Sequence, residues 1–441
     1  MRLSVLCILF ACIMQHPVYS ERLSLKEAVE EFKSNGIALK IYHLKLSQEK
    51  AKIRQVWSHL LPKIDVAAEQ IHNDLRGTRQ ITSVTALDNQ ETNLQNLDPI
   101  NALRLRVSLV QPIYDKNIPL KLKVSFLEYE AQAYAYKRTE QEQVLELAQL
   151  YYETAHTQQL ILLAKKDVII LEKQLEEIKS KKMLKLNTRE NVLQAEIALA
   201  NSQQKRMEHR QNYTLFITKL KHKLGRNRKD SLNIEEKSLT PEFKFDIIET
   251  LGTLESALEQ RSDLLQLLKE QESLKARIKT EKNRKWPVIT FNTTYGFTNK
   301  EKFSVSSRDR DFSWGVEGSV RLFNGFETLS KIKEYTLLLE ESKLIIELKK
   351  QEIHLEINDA LYAMELSQKK QKDASIHREL AEGMVSKEIR KFELGNATKL
   401  DVLIAKKELY DAIAQESIRR YEFAGAISEY RYAMGNNPLL L

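Results

Sequence analysis

The distribution of helix-breaking residues constrains this chain more than any other feature. Its eight prolines leave residues 120–240 and 288–437 free of proline, and residues 120–185 contain no glycine either. Proline breaks the hydrogen-bond ladder of a helix and glycine weakens it, so these stretches permit very long helices. Residues 120–185 alone would form a helix about 100 Å long at ~1.5 Å per residue. The pattern predicts a mainly helical protein.

The apolar residues of the glycine-free stretch follow a heptad-like spacing. They are Val144, Leu147, Tyr151, Ala155, Leu162 and Ile169, with polar exceptions at Gln158 and Lys165. Such a repeat forms the seam of a coiled coil, so it predicts long helices packed side by side. Further helices are predicted over residues 25–59, 192–223, 247–282, 329–391 and 402–434.

Four short segments instead alternate apolar and polar residues, which is the pattern of strands. They cover about residues 64–72, 101–111, 288–297 and 312–322. Each is close to the roughly 9–11 residues that a tilted strand needs to cross a bilayer. We predict that their charged face lines a water-filled lumen. The candidate lumen-facing residues are Arg104, Arg106, Glu317 and Arg321.

The order helix, strand, loop, strand, very long helix, turn and helix occurs twice, which indicates an internal repeat. At an offset of 210 residues, Val192, Leu193 and Gly225 recur as Val402, Leu403 and Gly435. The predicted organisation is a signal peptide at 1–20, a first repeat at 21–225 with a long helical hairpin at 114–225, a linker or equatorial segment at 226–246, a second repeat at 247–435 with a hairpin at 324–435, and a short tail at 436–441.

Aromatic residues occur in both repeats where helix and strand meet. Trp57 and Trp286 precede a strand, whereas Tyr114 and Phe323 follow one. Amphipathic aromatic side chains are enriched at membrane–water interfaces, so we predict that these four form an interface ring. The alternative is that they are ordinary buried aromatics at a domain junction.

The first 20 residues have the pattern of a secretory signal peptide. Arg2 precedes an apolar stretch, and the segment ends in Val18-Tyr19-Ser20, close to a small-x-small cleavage site. Lipoprotein processing at Cys12 is the alternative. Both cysteines of the chain lie in this segment, so the predicted mature chain has no disulfide and no cysteine-based metal site. No later stretch approaches ~20 apolar residues, so no membrane-spanning helix is predicted.

Charge and motifs argue against nucleic-acid binding and against catalysis. The formal net charge is +8, but acidic and basic residues are interleaved, as on the solvated faces of long helices. The sequence has no P-loop, dinucleotide fingerprint, zinc-type histidine pair or nucleophile elbow. We therefore predict no enzymatic activity, no cofactor, no metal and no nucleic-acid partner.

Four amphipathic strands cannot close a membrane barrel alone. Unpaired backbone groups in hydrocarbon cost several kcal/mol each, and single-chain barrels begin at about eight strands. Several copies must therefore share one barrel if the strands span a membrane. The predicted fold is mainly α with a small β part, in two tandem repeats of a strand hairpin and very long coiled-coil helices. Several copies would form an oligomeric β-barrel, and the long helices, too polar for lipid, would extend its lumen as a helical wall.

A series of short motifs runs through both repeats in order. It includes Leu60-Leu61-Pro62, Ser108-Leu109-Val110-Gln111-Pro112, Val320-Arg321-Leu322-Phe323-Asn324-Gly325, Leu394-Gly395-Asn396-Ala397-Thr398 and Asp401-Val402-Leu403. This series resembles the TolC-like family of outer-membrane efflux ducts over essentially the whole predicted mature chain. The resemblance implies a homotrimer in the outer membrane whose oligomeric β-barrel is continued by a periplasmic α-barrel, which makes up a large periplasmic portion. It also implies outer-membrane lipid, a periplasmic adaptor, and an inner-membrane pump or ABC secretion transporter as partners in tripartite efflux or type I secretion.

The resemblance further implies a gate at the periplasmic tip of the helical hairpins. Its candidate residues are Phe392, Gly395, Thr398 and Asp401, with Asp401 supplying an acidic ring at the closed aperture. Three carboxylates around a narrow axis would attract cations. The spacing of Thr398 and Asp401 is also that of a helix-capping box, and both roles can hold together.

The chain departs from the family pattern at two gate positions. Many members carry an acid where this chain has Ile404 and an arginine where it has Ala397, so fewer charged interactions would hold its gate closed. Two other classes of protein stay open at this point. One is a periplasmic adaptor, which has one hairpin inserted into compact β-domains, and the other is a coiled-coil scaffold without a pore.

Overall fold

The computed structural model describes residues 22–73, 79–80, 95–96, 100–183, 188–227, 230, 232–234, 254–299 and 310–439. The predicted signal peptide with Cys12, most of the predicted linker and the last two residues lie outside these ranges. Along the described chain the elements are β1 (Arg22–Leu23), α1 (Leu25–Asn35), α2 (Ile37–Trp57), β2 (Lys63–Asn73), β3 (Arg79–Gln80), β4 (Gln95–Asn96), β5 (Ile100–Tyr114), α3 (Asn117–Met183), α4 (Arg189–Leu224), β6 (Asn233–Ile234), α5 (Leu254–Gln260), α6 (Ser262–Lys282), β7 (Val288–Asn299), β8 (Arg310–Ser319), α7 (Glu327–Glu393) and α8 (Lys399–Ala433).

The two long helical hairpins have the same dimensions. Helices α3 and α7 each contain 67 residues, and α4 and α8 contain 36 and 35. The first residues of α3 and α7, and those of α4 and α8, are 210 positions apart, which is the offset of the sequence matches. The equal lengths support the predicted internal repeat.

Matching glycines end both hairpins. Gly225 and Gly435 have φ angles of +74° and +82°, in the left-handed region that only glycine adopts without strain. The Gly225 N–H donates to the His222 carbonyl, and the next residue's N–H donates to Lys221. Gly435 makes the equivalent pair of bonds. This geometry closes the carbonyl end of a helix, so the glycines define where each repeat stops.

The described chain forms two compact units. One, the helical unit, contains the residues up to 45, residues 133–266 and those from 346 onward; the other, the sheet unit, contains residues 46–132 and 267–345. Each unit draws segments from both repeats. Among the described residues, no helix is both long enough and apolar enough to cross a membrane.

The helical unit has a core to which α1, α3, α4 and the end of the chain contribute. Phe32, Leu147, Tyr151 and Leu220 are almost completely buried there. Strand β1 pairs in parallel with β6, and the Tyr151 hydroxyl donates to the Leu23 carbonyl at 2.8 Å. Helix α1 starts at a capping box formed by Ser24 and Glu27, which satisfies its first free N–H groups.

The sheet unit contains one four-stranded antiparallel sheet in the order β2-β5-β7-β8. Its strands contain 11, 15, 12 and 10 residues. Pro112 lies inside β5 but at a register irregularity, where a missing backbone donor is tolerated. The four strands are those predicted from the alternating pattern, and β3 and β4 form a separate two-residue pair.

Three predicted boundaries were wrong, one for a local reason and two because of contacts with distant parts of the chain. The helix predicted over 25–59 is interrupted at Gly36, where the backbone leaves the helical region. The helix predicted over 247–282 is interrupted at Arg261, and its part before Leu254 lies outside the described residues. The strand predicted over 312–322 ends at Ser319, because its partner begins at Val288, directly after a proline that cannot extend the ladder.

Candidate channel, gate and interface residues

The register of the sheet sorts its side chains into two faces of opposite character. Arg106 stands opposite Ala67 and Gly296, whereas Leu105 stands opposite Ala68 and Phe297. Opposed residues share a face of a sheet, so each face can be followed across all four strands. The polar face carries Asp65, Glu69, Arg104, Arg106, Ser108, Asn292, Thr294 and Glu317. The other face carries Ile64, Val66, Leu105, Val107, Phe291, Tyr295, Phe312, Trp314 and Val316.

Three of the four predicted lumen residues lie together on the polar face. Arg104 forms an ion pair with Glu69 at 3.9 Å, and the Asn292 amide donates to Glu317 at 3.1 Å. Arg321 does not belong to this group, because β8 ends two residues before it. Its side chain instead lines a cavity in the sheet unit beside Lys282 and Lys285.

The apolar face of the sheet is exposed in the single chain. Val66 and Trp314 are 70% and 69% exposed, and Ile64 and Phe312 are both 65% exposed. Strands β2 and β8 are the edges of the sheet, so each has a row of backbone groups without a partner strand. A large apolar surface bounded by open strand edges is unfavourable in water. Such a surface marks a place where lipid or another protein binds.

The four predicted interface aromatics lie near one end of the sheet. Strands β2 and β7 begin at this end, and β5 and β8 finish there. Trp57, Tyr114, Trp286 and Phe323 are all exposed, which argues against ordinary buried aromatics. The two tryptophans are not equivalent: Trp57 is the last residue of α2, whereas Trp286 follows the short helical turn after α6.

The predicted gate residues form the turn between α7 and α8. Gly395 has a φ of +73° and its N–H donates to the Phe392 carbonyl, which ends α7. Thr398 caps α8, and its hydroxyl accepts from the Asp401 N–H at 3.3 Å. Asp401 accepts from both the Thr398 N–H and the Thr398 hydroxyl at 2.7 Å. The capping-box role that the spacing predicted is therefore confirmed.

The capped carboxylate of Asp401 is held in its charged form. The hydrogen bonds from the Thr398 backbone and side chain lower the pKa of Asp401, and the nearby charges of Lys181 and Lys391 act in the same direction. Asn191 occupies the equivalent position of the first hairpin, where Thr188 caps α4. The two tips thus share a threonine cap, but only the second has a carboxylate at the capping-box position.

Sequence reasoning missed an ionic cluster at the interruption between α5 and α6. The Arg261 side chain is completely buried, and it donates to both carboxylate oxygens of Asp263 at 3.0 and 2.6 Å. It also donates to the Ala433 carbonyl at 3.0 Å and forms an ion pair with Glu356 at 2.6 Å. Arg138 lies 3.7 Å from Asp263 and packs over the Tyr432 ring. No sequence motif marks this cluster, because its members come from four distant segments.

The described residues offer no metal centre: none of them form a group of three or more histidine, aspartate and glutamate side chains placed to hold an ion.

Very long paired helices, an amphipathic four-stranded sheet and a capped polar tip together define the TolC-like outer-membrane channel fold.

Comparison with known proteins supports this assignment through structure rather than sequence. No protein-family model and no curated protein sequence matches the chain. It is similar to the CmeC outer membrane channel of Campylobacter jejuni, at 17% identity and a TM-score of 0.74, over 93% of this chain and 85% of that one. It is also similar to the outer membrane protein VceC of Vibrio cholerae, at 16% identity and 0.73, over 94% and 97%. The open-state MtrE channel of Neisseria gonorrhoeae matches at 14% identity and 0.73, over 94% and 89%. The predicted fold class is confirmed.

Proposed function

We propose that this protein is the outer-membrane exit duct of a tripartite efflux or type I secretion system. Three copies would combine their sheets into one twelve-stranded barrel, and their helices would continue the lumen through the periplasm. An adaptor and an inner-membrane pump or secretion transporter would deliver the substrate. The duct itself conducts passively, in keeping with the channel fold and the lack of a catalytic motif.

The observation that carries this proposal is the two-faced sheet with open edges. A polar face with Arg104, Arg106 and Glu317 suits a water-filled lumen, and an exposed face with Val66 and Trp314 suits lipid. Backbone groups at the edges of a sheet must be paired inside a bilayer. Neighbouring copies satisfy β2 and β8 if they close a common barrel.

The same observation weighs against the two other classes. A coiled-coil scaffold needs no exposed apolar sheet. A periplasmic adaptor has one hairpin and compact β-domains, whereas the described part of this chain has two long hairpins and one four-stranded sheet.

Conductance and oligomer mass, measured on one sample, test the proposal. The mature protein is purified from an outer-membrane fraction in detergent, its mass is determined, and it is added to planar lipid bilayers. We expect a trimer that forms discrete channels. A buffer-soluble species that does not conduct would contradict the duct and favour a scaffold or an adaptor.

We further propose that the Asp401 carboxylates ring the closed periplasmic aperture in the trimer. The fixed charge at this tip supports the idea, since capping keeps Asp401 ionised. The groove between the hairpin tips would bind the adaptor. Phe392, which is half-exposed beside the turn, would help to hold the gate closed by packing, because few charged interactions are available there.

Asp401→Asn is expected to abolish most of the cation preference of the channel. Asparagine keeps an oxygen that can accept from Thr398 but removes three negative charges from the aperture. The measurement is the reversal potential across a salt gradient, at low and at high ionic strength. The difference from wild type should shrink as salt rises, because the Debye length falls from about 30 Å at 0.01 M to ~8 Å at 0.15 M.

Thr398→Ala is the matched control, since it removes the capping hydroxyl while Asp401, like any exposed aspartate, stays ionised at neutral pH. It should destabilise the start of α8 by about 1 kcal/mol while the cation preference stays at the wild-type value. An unchanged cation preference in Asp401→Asn would reduce Asp401 to a capping residue.

A further inference from the structure

A basic cavity with apolar walls lies where β8 leads into α7. Its volume is about 400 Å³. Lys282, Arg284, Lys285 and Arg321 supply its polar wall, and Phe323 and Phe326 belong to its apolar wall. None of the described residues that line it is acidic.

Most of the positive charge at this cavity is uncompensated. Arg284 is the exception, because it pairs with Glu281 at 2.9 Å and with Glu327 at 3.3 Å. In the described part of the chain, no ion pair joins Lys282, Lys285 or Arg321 to another residue. Three free cations around one cavity are suited to an anionic group, and a phosphate offers several oxygens that can accept hydrogen bonds from lysine and arginine.

The backbone presents an aromatic ring beside these cations. Phe326 has a φ of +65° and is the one described residue other than glycine in the left-handed region. That conformation is costly for a bulky side chain and persists where the surroundings hold it, which often marks a functional position. The ring is 64% exposed and packs edge-on against Phe323 at 5.4 Å. Leu322 beside it is 93% exposed.

We propose that this cavity binds an anionic phospholipid. The headgroup phosphate contacts Lys282, Lys285 and Arg321, and the start of the acyl chains packs on Phe323 and Phe326. The site lies at the end of the sheet that carries the interface aromatics, and Lys116 packs over the ring of Trp286 at 3.6 Å there. Cations next to aromatics at this depth fit the headgroup region of a leaflet. The inference rests on the proposed membrane function.

Native mass spectrometry of the detergent-solubilised trimer tests the site. Phosphatidylglycerol and phosphatidylcholine are titrated separately against wild type and against the variant Lys282→Gln/Lys285→Gln/Arg321→Gln. We expect wild type to prefer phosphatidylglycerol, and the variant to lose roughly 10- to 100-fold of that affinity. The matched control is Lys369→Gln/Lys370→Gln/Lys372→Gln on the exposed surface of α7, which should keep the wild-type affinity.

A second variant separates the apolar wall from the charges. Asparagine tolerates a positive φ, so Phe326→Asn removes the ring without adding backbone strain. It should weaken phosphatidylglycerol binding several-fold while leaving trimer mass unchanged.

The inference is overturned if wild type binds the two lipids equally, or if the α7 control loses as much affinity as the triple variant. It is also overturned if the triple variant keeps its phosphatidylglycerol affinity, as it would if a neighbouring copy covered the cavity. Competition by glycerol 3-phosphate as effective as that by the lipid would make this a free-phosphate site instead. Conductance of the same wild-type sample separates the two proposals. Channels without lipid preference would refute the lipid site alone, whereas lipid preference without channels would refute the duct alone.

Discussion

Ala68→Arg is expected to prevent stable insertion of the protein into the outer membrane, whereas Ala67→Arg leaves insertion intact. The two alanines are adjacent at the centre of β2, and both are exposed in the single chain. The register places Ala68 opposite Leu105 on the apolar face and Ala67 opposite Arg106 on the polar face. The substitution is chemically identical, so only the direction of the side chain differs.

The expected difference follows from the cost of a charge in hydrocarbon. Arginine facing lipid at the bilayer midplane costs about 2–4 kcal/mol in a membrane barrel. A trimer carries three copies, so the penalty sums to roughly 6–12 kcal/mol per channel. At position 67 the arginine faces water, and its repulsion from Arg106 costs less than about 1 kcal/mol.

Membrane fractionation measures this pair directly. The amount of heat-resistant trimer in the outer-membrane fraction is compared with wild type, and conductance is recorded where trimer is present. Equal yields for the two variants would mean that both faces of β2 meet the same solvent. That result would remove the membrane-spanning sheet and with it the duct.

Much of the fold could be predicted because local signals coincide with long-range ones. The absence of proline and glycine from residues 120–185 permits almost all of α3, and α7 contains no proline and one glycine, Gly383. Left-handed glycines mark the ends of α4 and α8. The strands could be predicted because one face of the sheet is mostly apolar and the other mostly polar. The cap formed by Thr398 and Asp401 could be predicted because a capping box is a local motif whose two residues lie three positions apart. Their candidate role at a gate came from the family resemblance.

Most of what could not be predicted from the sequence depends on contacts between residues that are distant in sequence. The interruption at Arg261 contains neither glycine nor proline, and it exists because the side chain reaches the Ala433 carbonyl and Glu356. Arg321 keeps the alternation of β8, yet the strand stops earlier because its neighbour starts after Pro287. The basic cavity had a signal in the sequence, since Lys282, Arg284 and Lys285 lie within the four residues before Trp286. Only the structure adds Arg321 and the ring of Phe326 to it.

Arg261→Ala is expected to lower the free energy of unfolding by about 3–5 kcal/mol, since it leaves the partly buried Asp263 charge without its main partner. The side chain links the start of α6 to the last turn of α8, so its loss frees both ends. Denaturant titration of the detergent-solubilised protein measures the change. Arg419→Ala is the control and should cost less than about 0.5 kcal/mol, because the partly exposed Arg419 pairs, among the described residues, only with the exposed Glu422. Equal costs for the two variants would contradict a structural role for the cluster.

The ionic cluster around Arg261 and Asp263 also predicts how the stability of the protein depends on pH. Burial alone raises the pKa of Asp263, but the hydrogen bonds from Arg261 and the charges of Arg138, Arg261 and Lys349 outweigh it and lower the pKa to about 2. An unfolded aspartate titrates near ~3.9, so between these values the unfolded state binds more protons. Asp263 therefore contributes roughly 2 kcal/mol of stability above pH 4, and this contribution is lost as the pH falls towards 2. Arg261→Ala should flatten the acid limb of the stability curve. An acid limb as steep as that of wild type would show that other carboxylates, and not Asp263, set it.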